Sequence, residues 1–265
     1  MRVLRAFPTL LRVGLAGAVA YRAEMVVWML SMTMPLVSLA LWSAVAQTAP
    51  VGRYAQRDFL SYFLAVVVVR QLTGAWVVWE LIQEIKSGAV ASRLLKPMHP
   101  FVAYAADNIA ALPMRALLVL PVAIGMFASA GAPHVDLNSP SAVLVLILSM
   151  AGAWLISFFA MAIIGTLSFF IESSSSIFDA WLAIFMLLSG YLVPLDLFPG
   201  WVQKAANALP MRYMLAFPVS ALTGSVSLAD AWGDLLVQWA YAIGAGIAAG
   251  ACWRAGVRRY SSFGG

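Results

Sequence analysis

The chain has 265 residues, of which 63% are hydrophobic and only 10% charged, and its mean hydropathy is +0.91. Soluble domains carry roughly 45–50% apolar residues, so this composition excludes a water-soluble fold and specifies an all-α, polytopic membrane protein. The net charge of +5 needs no nucleic acid as partner, because cationic loops on the cytoplasmic side of a membrane account for it.

Residues 2–22 open the chain with Arg2, Arg5, Arg12 and Arg22. Arg2, Arg5 and Arg12 share a helical face opposite Val3, Phe7, Leu10 and Leu11, which reads as an interfacial helix over 1–24 resting on anionic head groups. A flexible basic leader is the plainer alternative. No uninterrupted apolar core and no small-residue cleavage site is present, so a cleavable signal peptide is not expected.

Apolar stretches follow, each long enough to cross about 30 Å of hydrocarbon. They run from Met25 to Ala46, Phe59 to Leu81, Val102 to Ala130, Ala142 to Ile171, Ile177 to Val193 and Ala231 to Trp253, predicting six spans. Ten of the 16 lysines and arginines fall in segments 1–24, 82–101, 172–176 and 254–265, and four in the alternate loops. That asymmetry places both termini in the cytoplasm. The expected layout is one transmembrane domain over 1–265. Spans one and two occupy 25–81, spans three to five 102–193, and span six 231–253, followed by a cytoplasmic tail over 254–265.

Segment 194–230 is interrupted by Pro194, Pro199, Pro210 and Pro218, yet Trp201, Val202, Leu209, Tyr213, Leu215 and Phe217 keep it apolar. It is too broken for a span and too apolar for a free loop. Two short helices dipping into the outer leaflet as a re-entrant hairpin fit it, and an ordinary interfacial loop with an aromatic belt is the alternative. In the last span, the run Gly244 to Ala251 offers small-xxx-small pairs such as Gly246 and Gly250, for packing within the chain or at a dimer seam.

Catalytic patterns are missing. There is no HExxH, no GxSxG and no P-loop, and His99 and His134 both fall in expected loops. One cysteine, Cys252, forms no disulfide within the chain and no CxxC metal site. The serines of 172–179 (ESSSSIFD) read as a turn and helix start rather than a polar site. No metal and no nucleotide site is therefore expected in this chain. Two charges remain inside spans, Arg70 and Arg115. Such residues usually face protein or water. Arg70 fits a substrate path, a pairing with Asp107, or snorkelling; Arg115, two residues after Pro113, fits a structural role.

The segment 82–101 is polar amid these spans. In ELIQEIKSGAVASRLLKPMHP, Leu81, Ile85, Ala89, Val90 and Leu94 keep a helical rhythm, with Glu84, Lys86, Ser87 and Arg93 elsewhere. Gly88 weakens the centre, while Pro97 and Pro100 end it. The pattern predicts a cytoplasmic amphipathic helix, anchored by Ile85, Ala89 and Leu94, that lies on lipid or docks on a protein. A proline at Ala89 would break it.

The stretch IKSGAVASRLLKPMHP looks like the I-x-x-G … LL-[RK]-P segment of ABC-2-type transporter permeases. A second stretch resembles their fifth-span end and outer re-entrant region. It carries Ser189, Gly190, Pro194, Phe198, Pro199, Trp201, Leu209, Pro210, Tyr213, Pro218 and Gly224 in the family's order. The resemblance spans nearly the whole chain and is nearest to the antibiotic or viologen exporter permease branch. It implies a type V exporter-like fold and a permease subunit of an ABC exporter in a bacterial inner membrane. Two separate ATPase subunits, holding ATP and Mg, and a second permease, identical or homologous, would complete the complex. It also implies that 82–101 is a coupling helix touching the ATPase through Glu84, Lys86, Ser87, Gly88, Arg93 and Lys96. The pathway would be lined from spans one, two and five by Met32, Trp42, Arg70, Trp181, Phe185 and Tyr191. The substrate is unnamed, with drug-like, lipid and other amphipathic molecules all compatible. Two rival readings are a membrane anchor in a secretion or motility assembly, which would transport nothing, and an ATP-independent carrier, for which no inverted repeat or acid–base relay is seen.

Overall fold

The computed structural model describes residues 8, 9, 11, 12, 14–16, 29, 30, 32–128 and 134–261. The helices are α1 Thr33–Val45, α2 Gln56–Thr73, α3 Val77–Ser87, α4 Val90–Leu94, α5 Pro100–Ala110, α6 Leu112–Ala128, α7 Pro140–Thr166, α8 Ser174–Leu188, α9 Gly200–Asn207, α10 Pro210–Met214, α11 Ala216–Leu222 and α12 Leu228–Ser261. Among the described residues, four helical stretches are long and apolar enough to cross a membrane: Gln56–Ser87, Pro100–Ala128, Pro140–Phe169 and Leu228–Tyr260. Thr33–Val45 and Ser174–Leu188 are apolar but shorter; at 15 residues the latter extends about 22 Å.

Gln56–Ser87 is the axis. Of its most apolar stretch 78% is buried inside the protein, against 28%, 39% and 22% in the other three. A run such as Phe63-Leu64-Ala65-Val66-Val67-Val68-Val69 is apolar all round, which only a surrounded helix satisfies. α1, α6, α7 and α11 surround α2, and α7 also carries α3, α10 and much of α12.

Two expected spans are broken. The second stops at Thr73 and restarts at Val77, with Gly74 extended (φ −68°, ψ 131°) between them. The third breaks at Ala111, where Pro113 removes the N–H that would reach the carbonyl four residues back. The break at Gly74 is closed by the other: Arg115 Nη1, one turn into α6, donates to the Gly74 carbonyl at 2.6 Å. An orphaned carbonyl in hydrocarbon is costly, and Arg115 removes that cost from a buried position. The last helix is longer than expected, running from Leu228 to Ser261 instead of ending at Trp253.

The α7–α12 crossing is set by Gly152 and Gln238. A Cβ on Gly152 would lie 2.7 Å from the Gln238 side chain. Gln238 is fully buried and its Nε2 donates to the carbonyls of Ser149 (2.9 Å) and Tyr213 (2.8 Å), tying α7, α10 and α12 together. Further along the same seam Gly246 faces Phe159 of α7, whereas a Cβ on Gly244 or Gly250 would meet open space. Gly246 is thus used within the chain.

Segment 194–230 folds as short helices. α9 is largely exposed, with Trp201 75% accessible, while residues 213–219 across α10 and α11 are buried. At the chain's start the described residues between 8 and 16 are helical, and Gly14 lies against Asp107 and Ala110 of α5. Arg12 is exposed; Arg2, Arg5, Arg22 and the beginning of the first span lie outside the described residues.

Replacing Gln238 by Leu should cost about 1 kcal/mol, the usual worth of an interhelical hydrogen bond in a membrane. Gly152→Val should cost more, because it removes the same bonds and forces α7 and α12 apart. Melting of the purified protein in detergent checks the order; an unchanged melting temperature for Gly152→Val would contradict this packing.

Candidate functional site

Segment 82–101 is not a single free helix. Its first half, through Ser87, is the end of α3 and so continues the second span. Gly88 caps α3 in the left-handed region (φ +79°), a conformation open to glycine and strained for other residues. The chain turns there and makes one further helical turn, α4, before His99 caps α5 by accepting from the Phe101 N–H.

An ion cluster folds the two halves together. Arg93 Nε donates to Glu84 Oε1 (3.0 Å) and Oε2 (2.7 Å), and Nη2 donates to Glu84 Oε1 (2.7 Å) and Glu80 Oε1 (2.6 Å). Tyr104 of α5 donates its hydroxyl to Glu84 Oε2 at 2.6 Å, and its ring carries the Arg93 guanidinium 4.2 Å from its centroid. Burial works against the Arg93 charge, but the hydrogen bonds to Glu84 and the charges of Glu80 and Glu84 together outweigh it and hold its pKa above the usual guanidinium range. Charge-assisted, forked bonds of this kind are the strong ones.

This arrangement corrects the expected facing. Glu84 and Arg93 turn inward to each other, with side chains only 19% and 17% exposed, instead of standing on the outer face. Val90 is fully buried and takes the anchoring place expected of Ala89, which is exposed. Proline at Ala89 is no helix breaker either, since Ala89 is the N-cap of α4 and already has φ −61°. The outward face comprises Lys86, Ser87, Ala89, Ala91, Ser92, Leu95 and Lys96. Leu95 is 87% exposed.

The end of α12 reaches the same place. Tyr260 donates to the Gly88 carbonyl at 3.3 Å and packs on Phe169, which packs on Trp253. Trp253 in turn meets Phe101 and His99. Tyr104 and Tyr260 were not singled out from the sequence, because nothing in it links them to residues 20 and 172 positions away.

Four of the six expected pathway residues come together. Trp181 stacks on Phe185 (5.3 Å between centroids), Phe185 meets Tyr191 (6.2 Å), and the Arg70 guanidinium lies 5.1 Å from the Phe185 centroid. Trp76, at the break after α2, faces Arg70 from another side at 5.3 Å. Arg70 forms no ion pair with Asp107; the ion pairs between described residues join Arg53 to Asp196, Arg93 to Glu80 and Glu84, and Arg212 to Asp234. A charge at the bilayer centre costs at least about 2.5–3.5 kcal/mol, of which each ring contact returns about 0.5–2 kcal/mol. Trp42 and Met32 belong to the same apolar core: Trp42 stacks on Phe59 and donates to the Leu192 carbonyl at 3.2 Å, beside Tyr191, and Met32 packs on that core.

At the opposite end from Gly88, segment 194–230 closes over α2. Asp196 accepts from Arg53 and from Tyr54 (2.9 Å), Tyr62 donates to the Gly190 carbonyl at 2.6 Å, and Arg212 bridges to Asp234 at 2.9 Å. These residues edge a polar cavity of about 590 Å³. Burial pushes the Tyr54 phenol up to about 12. Pro194 precedes a 3-10 turn, Pro199 and Pro210 lie at the starts of α9 and α10, and Pro218 sits inside α11 with Tyr213 buried nearby.

Arg93→Met removes the centre of the ion cluster and leaves Glu84 half-buried without its partner. The fold of residues 89–95 onto α3 should weaken by about 2 kcal/mol, read as roughly 30-fold faster amide exchange there. Unchanged protection would show that the cluster does not hold the segment.

Comparison with known proteins agrees with this architecture. The family model for ABC-2 family transporter proteins matches residues 26–264, which take in every long apolar helix, the folded segment at Gly88 and the helices after Pro194. No curated protein matches the chain. Since the match covers nearly the whole sequence, the chain belongs to the ABC-2 family of transporter membrane proteins.

Proposed function

We propose that this chain is the permease subunit of an ATP-driven exporter in a bacterial inner membrane, with six spans and both termini in the cytoplasm. The chain performs no chemistry itself. Two copies of a separate ABC ATPase bind ATP and Mg and hydrolyse the nucleotide, and a second permease, identical or homologous, supplies the other wall of the route. Segment 194–230 forms the outer re-entrant hairpin, and Arg70, Trp181, Phe185 and Tyr191 line the route.

The observation that carries this reading is the Glu84–Arg93 cluster. It makes segment 82–101 a stiff extension of the second span, while Leu95 and the Lys86–Lys96 face stay open. A displaced ATPase surface would therefore push on α3 directly, and α3 leads to the break at Gly74. Tyr260 on Gly88 adds the last helix as a second strut. An exposed leucine at the tip of a rigid turn suits a pocket on a protein partner, where such anchors dominate affinity. The second reading, a membrane anchor without transport of its own, uses the same docking surface. Substrate-stimulated ATP hydrolysis in proteoliposomes separates the two.

Leu95→Glu tests the docking itself. In the co-expressed complex it should cut recovery of the ATPase with the permease about tenfold or more, the cost of losing one well-seated anchor, with membrane insertion unchanged. Full recovery of the ATPase would mean that Leu95 rests on lipid and that another surface carries the partner.

A further inference from the structure

We propose that the Arg70 junction is a binding site for an amphipathic anion, a molecule with an apolar body and one carboxylate, phosphate or sulfonate group. This rests on the reading of Arg70 and its neighbours as part of a transport route.

Arg70 lies deep in an apolar helix, about 21 Å along the axis from the start of α2, and no ion pair between described residues includes it. What surrounds its guanidinium is aromatic: Trp76 at 5.3 Å and Phe185 at 5.1 Å, with Trp181 stacked on Phe185 behind. Neither ring offers an oxygen or carboxylate acceptor, so the guanidinium N–H groups can fork onto an anion.

The backbone adds a second, independent feature. The helix breaks four residues after Arg70, and non-helical backbone at membrane depth persists where it borders a cavity or a ligand path. The break does not consume Arg70, because its free carbonyl at Gly74 is taken by Arg115 Nη1 at 2.6 Å. Arg70 Nη1 would lie 2.9 Å from a Cβ on Gly74, so the guanidinium lies directly over the opened backbone. The site therefore offers a cation, flat apolar walls and a gap in the helix. A cationic ligand would meet the Arg70 charge unscreened, and a neutral one would leave it unpaired.

The test uses the permease–ATPase complex in phosphatidylcholine nanodiscs, with doxyl-labelled stearate and its methyl ester as probes, at a pH that ionises the carboxylate. The immobilised fraction of spin label reads binding without ATP. The native complex should prefer the carboxylate at least about tenfold, as a charge-assisted bond requires. Arg70→Gln should abolish the preference, and Arg70→Lys, which keeps the charge without the planar fork, should retain part of it. Equal binding of acid and ester by the native complex, or an undiminished preference in Arg70→Gln, would overturn the site. Should Arg70→Gln not assemble, Arg70→Lys decides: a preference as strong as the native one contradicts the forked contact. ATP then separates the sources of the anion. Release of the immobilised stearate on ATP turnover marks a transported molecule, whereas Arg70-dependent binding that persists through turnover would overturn the assignment as substrate. A complex that transports nothing yet keeps the preference would refute the exporter reading and not the site.

Discussion

Lipid hydrocarbon offers no hydrogen bonds, so an interruption of a membrane-spanning helix has to be satisfied by another part of the chain. The structure is organised by how it meets that demand. The second span opens at Gly74, and its carbonyl is met by Arg115 from the third. Gln238 of the last helix supplies Ser149 and Tyr213. Glu84, at the end of the second span, is met by Arg93 and Tyr104. In each case a polar side chain from one helix meets a polar group of another, so these bonds also fix how the helices pack.

The same constraint gives the molecule a direction. At the Gly88 end, charges are paired within a folded turn whose outer face stays open. At the other end, Asp196 ties segment 194–230 to Arg53 and Tyr54, just before α2, and Arg212 ties it to Asp234 of α12. Between them lies the broken axis Gln56–Ser87, the most enclosed of the long helices. On the proposed function, a push on the outer end of this broken helix would be felt at the break.

Much of this was legible in the sequence, and the misses share a cause. Long apolar runs, the polar island at 82–101, the prolines after Val193 and the two buried arginines all announce themselves, because composition and short-range period report burial along one helix. Period does not cross a helix break. Gly88, in the left-handed region, shifts the phase, so Val90 faces inward where an unbroken helix would have turned Ala89. Glu84 and Arg93 are nine positions apart, across that same turn, and a continuous helix would have set them on opposite faces, out of reach of each other. The interruption at Gly74-Ala75-Trp76 had a local sign, a glycine beside Thr73 just after a β-branched run, but its stabilising partner is 41 positions away. Long-range partners of this kind follow from packing alone.

On this reading, segment 82–101 moves as one body with the end of the second span. Spin labels at Gln83 and Ser92, both exposed, give that distance directly by pulsed electron resonance in the permease–ATPase complex. With the Glu84–Arg93 cluster intact, the distribution should be narrow and unchanged between nucleotide-free and ATP-bound states, while the distance from Ser92 to Glu172 changes. A Gln83–Ser92 distance that broadens or shifts with nucleotide would show that the turn at Gly88 is a hinge, and the account of a stiff extension would be wrong.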